Sequence, residues 1–114
     1  MSANGMSMKA TVAWDTGANM TGISFGVIAE LGLSSRERRT VYSGRGLAQT
    51  WIFKIDIDLG HDIIFRDVTV QSAVLQGSGV DALIGLDIIT KGDFHVRSEC
   101  GQTIMTYDIW NTDD

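Results

Sequence analysis

Residues 13–23 read AWDTGANMTGI and set an aspartate, Asp15, between a bulky aromatic and Thr-Gly-Ala at the end of an apolar run. An ionised side chain costs several kcal/mol to desolvate without a partner, so a carboxylate there is paired, exposed at a turn, or kept for chemistry. Asp-Thr-Gly is also a natural turn composition, and the tripeptide by itself leaves these readings open.

Outward from Asp15 the chain reads as short strands punctuated by glycine, with 13 glycines and no proline. MKATVAW (8–14) leads into the aspartate. The strongest strand pattern is WIFKIDIDLG (51–60), where Trp51, Phe53, Ile55, Ile57 and Leu59 alternate with Ile52, Lys54, Asp56 and Asp58, the period of a sheet with one buried face. IIFRDVTVQSAVL (63–75) predicts a strand with a turn or bulge near Arg66-Asp67. DFHVR (93–97) and TIMTYDIW (103–110) predict a hairpin across Ser98 to Gly101. Only two helices are predicted, both short: SFGVIAELG, capped by Ser24 and stopped at Gly32, and GLDIITKG, ending at Gly92. SSRERRTVYSGRGLAQT (34–50) reads as a polar loop whose RERR cluster is a solvated face. It leads to Ser43-Gly44-Arg45-Gly46, the tip of a projecting hairpin.

At 114 residues and 44% hydrophobic content the chain suits one domain, 1–114. A net charge of -5 argues against a broad basic surface, so neither nucleic acid nor anionic lipid is an expected partner. With Cys100 alone no intrachain disulfide can form; a reducing compartment or a disulfide-independent fold is implied, and Cys100 reads as a small residue near a turn. MSANGMSMKA lacks the pattern of a signal peptide, and no apolar run approaches the roughly 18 residues that span a bilayer, so a cytoplasmic location is expected for this chain. His61 and His95 have no cysteine or carboxylate at metal-ligand spacing, and neither metal nor cofactor is expected. Trp14, Trp51 and Trp110 read as core, subsite or dimer-sheet residues.

Asp15-Thr16-Gly17-Ala18 after an apolar strand, a glycine-flanked hairpin tip, and then Ala82-Leu83-Ile84-Gly85-Leu86-Asp87 opening a short helix resemble, in that order, the retropepsins, the retroviral-type aspartic proteases, and their bacterial relatives with an Asp-Thr-Gly-Ala loop. The resemblance covers about residues 8–94. It implies an all-β, retropepsin-like closed barrel with one or two short helices, acting as an aspartic endopeptidase on a peptide or protein substrate. Because there is one Asp-Thr-Gly, it also implies a homodimer in which Asp15 meets its symmetry mate. By resemblance, Thr16 sends its hydroxyl across the dimer axis, and Gly17 lets the partner backbone approach. Ala18 and Asn19 lie beside the substrate, with Ser43, Gly44, Arg45 and Gly46 as the flap tip above it. Leu83 and Ile84 support the catalytic loop from below, and Gly85 permits a tight crossing.

Asn19 and Leu86 stand where the viral enzymes often carry an aspartate and an arginine. Losing both removes a buried pair without stranding either charge. Asp87 is then expected to bond the Thr21 hydroxyl. The arm before Asp15 is short for the family and the tail long, so the dimer's terminal sheet is expected mainly from residues 103–110. The alternative from a different functional class is a catalytically weak peptide-binding or dimerisation module on the same fold.

Overall fold

A two-residue turn at Asn4-Gly5 opens the chain, both residues in the left-handed region with φ of 52° and 80°. Asn-Gly is the pair a type I′ hairpin demands, and it folds β1 (Ser2–Ala3) onto β2 (Met6–Ser7). The computed structural model describes residues 1–35, 37–43 and 46–110, without the side chains of 41–43. The strand expected over residues 8–14 is correspondingly shorter: β3 covers Val12–Trp14, because residues 6 and 7 turn back to pair with β1.

β6 (Gly46–Asp58) spans two environments. Its first half pairs with β5 (Arg38–Ser43), from Arg38↔Trp51 to Ser43↔Gly46, making a two-stranded arm. Its second half pairs with β7 (Ile64–Ser72) in the body and touches β1 at Ser2↔Asp56. The predicted alternation holds for Phe53, Ile55 and Ile57, which are buried, and fails where arm meets body. There Trp51 is exposed beneath the Arg38 guanidinium, 5.0 Å from its ring centre, while Ile52 is buried between the Glu37 carbonyl that accepts its N–H and its β7 partner Gln71. The expected bulge lies at Arg66-Asp67: Ile57 pairs with Phe65 and Ile55 with Val68, so two residues oppose Asp56. Asp67 takes a φ of 54° and donates its N–H to Asp56 Oδ1 at 2.9 Å.

The remaining elements are β4 (Gly22–Ile23), α1 (Phe25–Glu30), β8 (Ala82–Ile84), α2 (Leu86–Ile89), β9 (Gly92–Glu99) and β10 (Gln102–Ile109). Ser24 caps α1 as its sequence predicts, its Oγ accepting from Val27 N–H at 3.2 Å, and the helix stops before Gly32, φ +61°. α2 ends earlier than expected, at Ile89. Gly92 instead opens β9, where a Cβ would collide with the Asp108 carbonyl oxygen of β10.

The main sheet runs β2-β1-β6-β7-β4-β8-β3 and curls into a half-barrel, the form the expected all-β architecture takes. Ile23, Ile55, Ile57, Val70 and Ile84 line its inside against Val27 and Leu31 at α1 and Ile88 and Ile89 of α2. β9 and β10 form a separate hairpin whose turn, Cys100-Gly101 at φ of 50° and 79°, is tighter than the predicted Ser98–Gly101 connection. It docks through Phe94 and Tyr107, each ring 5.1 Å from that of Trp14. Among the described residues no helix is long and apolar enough to cross a membrane.

Candidate active site

β8 lies between two partners, parallel to β3 (Val12↔Ala82, Ala13↔Leu83, Trp14↔Ile84) and antiparallel to β4 (Gly22↔Leu83, Ile23↔Ala82). The segment joining β3 to β4, residues 15–21, must therefore pass over the end of β8. Asp15 starts that passage, its N–H donating to the Ile84 carbonyl at 2.8 Å. A tight turn follows, with Ala18 N–H donating to the Asp15 carbonyl at 3.2 Å and Gly17 N–H to Asp15 Oδ1 at 2.9 Å. One carboxylate oxygen is thus held by the loop's own backbone. Among the described residues Oδ2 has no hydrogen-bond partner, and the side chain is half-buried.

The loop then meets the β8–α2 junction at close range. A Cβ on Gly85 would sit 2.8 Å from both the Ala18 carbonyl oxygen and the Met20 carbonyl carbon, distances that real Cβ atoms do not reach. Leu86 N–H donates to Ala18 O at 2.7 Å and Asp87 N–H to Asn19 O at 3.2 Å, so the approach is also a hydrogen-bonded one.

Thr21, fully buried, locks the crossing. Its hydroxyl donates to Asp87 Oδ1 at 2.8 Å, the contact expected from sequence, and accepts from Gly85 N–H at 3.2 Å. Its own N–H donates to both Asp87 oxygens, at 3.1 and 3.0 Å, and Ile88 N–H donates to Oδ1 at 3.0 Å. A carboxylate that accepts this many bonds satisfies the loop from beneath while its charge faces the first turn of α2.

The structure therefore gathers Asp15, Thr16, Gly17, Ala18, Asn19, Thr21, Leu83, Ile84, Gly85 and Asp87 into one crossing. Thr16 is exposed, and among the described residues its hydroxyl has no partner in the chain. Of the expected flap tip, Ser43 and Gly46 face each other as the last pair of the β5–β6 arm, with Gly46 at φ +104°, while Gly44 and Arg45 lie outside the described residues. Among the described residues no three His, Cys, Asp or Glu side chains converge as a metal site.

Two contributors escaped the sequence analysis. Asp81 precedes β8 as Asp15 follows β3. Its Oδ2 accepts from Thr11 N–H at 2.8 Å, its N–H donates to Thr11 O at 2.7 Å, and its carbonyl accepts from Ser24 N–H, clamping the start of β3 to that of β8. Tyr107, from β10, donates its hydroxyl to the Ile88 carbonyl at 2.6 Å and packs on Trp14, directly before Asp15. Burial raises its phenol above the ordinary value. A carboxylate abutting Ala-Leu-Ile is a signal that could have found Asp81. Nothing local marks Tyr107, whose partners are 19 and 93 residues away.

Neither a scan of protein-family models nor a search of curated proteins gives a match to this sequence. Among solved structures, the chain is similar to the crystal structure of a retropepsin-like aspartic protease from Rickettsia conorii. The TM-score is 0.55 and the identity 12%, over 81% of this chain and 68% of that one. At that identity the likeness speaks for architecture, and with the curled sheet and two short helices it establishes that this chain has the retropepsin-like fold.

Proposed function

We propose that this chain is one half of an aspartic endopeptidase, active as a two-fold homodimer in which the two Asp15 carboxylates share a water. The observation that carries the proposal is the state of Asp15 on a retropepsin-like fold: one oxygen pinned by Gly17 N–H, the other open, on a loop fixed by Gly85, Thr21 and Asp87. A free-standing turn aspartate needs no such brace.

Two carboxylates about 3 Å apart, the spacing of known aspartic-protease dyads, cannot both ionise cheaply, so they hold one proton between them. The ionised Asp15 takes a proton from the water as its oxygen bonds to the substrate carbonyl carbon. The protonated Asp15 gives its proton to the carbonyl oxygen. Collapse of the tetrahedral diol breaks the C–N bond, the amine leaving with a proton from the dyad. The substrate lies extended beneath the β5–β6 arm, adding its backbone to the exposed strand edge.

Strand pairing supports a surface for the proposed dimer. Residues 2–7 pair within the chain and against β6, whereas the β9–β10 hairpin stands as a separate two-stranded sheet. Register puts Val96 and Met105 on the same face as Phe94 and Tyr107, two residues further along, yet both are more than half exposed. The apolar stripe that docks on Trp14 thus runs past the body of its own subunit. A second copy covers that stripe and brings the second Asp15.

The test is pepstatin-sensitive cleavage of a denatured protein, with light scattering on the same sample. Expected are a dimeric mass and cleavage that Asp15→Asn abolishes without altering fold or mass. A monomer at high micromolar concentration, or wild-type activity in Asp15→Asn, would refute the proposal. Peptide binding without cleavage would reassign the fold to a binding module.

A further inference from the structure

Beside the crossing, a cleft of about 430 Å³ opens between Asn19 and Met20 of the loop, the bulged stretch of β7 and the end of α2, with Arg39 lining it from the arm. Three cations border it, Arg39, Arg66 and Lys91, against two carboxylates, Asp67 and Asp87. Asp87 is turned inward, its oxygens occupied by the Thr21 N–H, the Thr21 hydroxyl and the Ile88 N–H. Arg39 holds Glu37 at 3.2 Å and Arg66 holds Asp56 at 3.5 Å, but these are solvent-exposed pairs of the kind that contribute little and exchange readily.

Lys91 differs. Among the described residues no carboxylate lies within ion-pair distance of its ammonium, which sits 5.6 Å from the centre of the Phe65 ring. An aromatic face holds a cation in place without neutralising it. In a chain of net charge -5 the lysine is thus a cation outside any ion pair among the described residues, set in a concave surface that concentrates the field of its lining charges.

Its position ties it to Asp15. Asn19 follows Asp15 by four residues, so at most about 14 Å of backbone separates them, and the turn at Asp15–Ala18 shortens that. An extended peptide advances about 3.3 Å per residue. About two to four residues of an extended peptide span that distance.

We infer that this cleft is an outer specificity subsite that selects an acidic side chain, Asp or Glu, on the peptide substrate. The inference rests on the endopeptidase proposal above and adds the chemistry of the preferred substrate. Lys91 and Arg39 are its specificity-determining residues, Lys91 as the unpaired charge and Arg39 as the charge carried by the arm that covers the peptide.

The test uses peptide pairs differing only by Glu or Gln at one outer position at a time, compared by kcat/KM in the wild-type homodimer, in Lys91→Met and in Arg39→Gln. Methionine keeps an apolar stem over Phe65 while removing the charge. At low ionic strength the wild type is expected to prefer the Glu peptide about fivefold at one position, as two exposed charge interactions allow. The preference should fall below about twofold in either variant and at about 0.5 M salt. Equal rates for Glu and Gln at every position, or a preference that both variants retain, overturns the subsite and leaves the protease standing. If neither peptide is cleaved, the same pairs are compared by fluorescence anisotropy on wild-type protein. A Glu preference lost in Lys91→Met then upholds the subsite on a binding module, and no binding to any peptide overturns both.

Discussion

The Asp15 crossing and the β9–β10 hairpin are both held against the same half-barrel, but by opposite means. At the crossing, backbone meets backbone at the limit of contact, Gly85 under Ala18 and Met20, and each buried side-chain nitrogen or oxygen among the described residues has a partner, as the Thr21 hydroxyl has in Asp87 and Gly85. The hairpin is regular within itself, with eight cross-strand pairs, and is moored to the body by the Trp14–Phe94–Tyr107 rings, one phenol bond and one backbone bond from Trp110 to Lys91. The crossing allows one geometry because nothing in it can move alone. The hairpin leaves an apolar stripe open to be completed from outside. On the proposed function, the braced loop would carry the chemistry and the open stripe would receive the second copy.

Breaking the crossing should give the largest effect. Gly85→Ala drives a methyl into two carbonyl groups of the loop, and a stability loss of about 3 kcal/mol is expected by urea denaturation. Thr21→Val keeps the volume and the backbone N–H bonds to Asp87 but removes the hydroxyl bond to Asp87 and leaves Gly85 N–H without a partner, with an expected cost of about 2 kcal/mol. A loss under about 0.5 kcal/mol in both would mean that the loop is not fixed by this network.

The fold was legible wherever local chemistry and burial agree. Ser24 and Gly32 bracket α1, and the Asp56–Asp67 bulge sits where Arg66-Asp67 interrupts an apolar pattern. Ile52 defeated the alternation because the coverage of β6 changes at the arm root, a tertiary fact with no local trace. Asn4-Gly5 is a plain hairpin signal in the sequence, and the β1–β2 turn forms on it. Of the site, Asp87 on Thr21 could be foreseen because both flank motifs that must meet. Tyr107 could not, since its role depends on where a distant hairpin docks.

The hairpin offers smaller and more selective effects. Tyr107→Phe removes the bond to the Ile88 carbonyl and should cost about 1 kcal/mol. Because burial raises the phenol's pKa above its ordinary value of 10.0, the folded state holds that proton more tightly than the unfolded chain. The stabilisation is therefore complete below pH about 10 and is lost as pH rises through the raised value. Wild-type stability should fall in that alkaline window more steeply than that of Tyr107→Phe, as Trp14 fluorescence during urea titration would show. Parallel curves would place the phenol outside the docking energetics. Smallest for the monomer is Met105→Glu, an exposed site where a change within about 0.5 kcal/mol is expected. The same substitution should abolish the dimer by light scattering, and an unaltered dimer would move the interface elsewhere.

The most direct measurement of the central claim is subunit mixing. Wild-type chain at fixed concentration is equilibrated with increasing Asp15→Asn chain, and peptide cleavage is followed. If each chain supplies one carboxylate of a shared dyad, mixed dimers are inactive, and an equal amount of the variant should lower activity to about half, falling further with excess. Activity that stays constant as the variant is added would contradict a site built from two copies of Asp15.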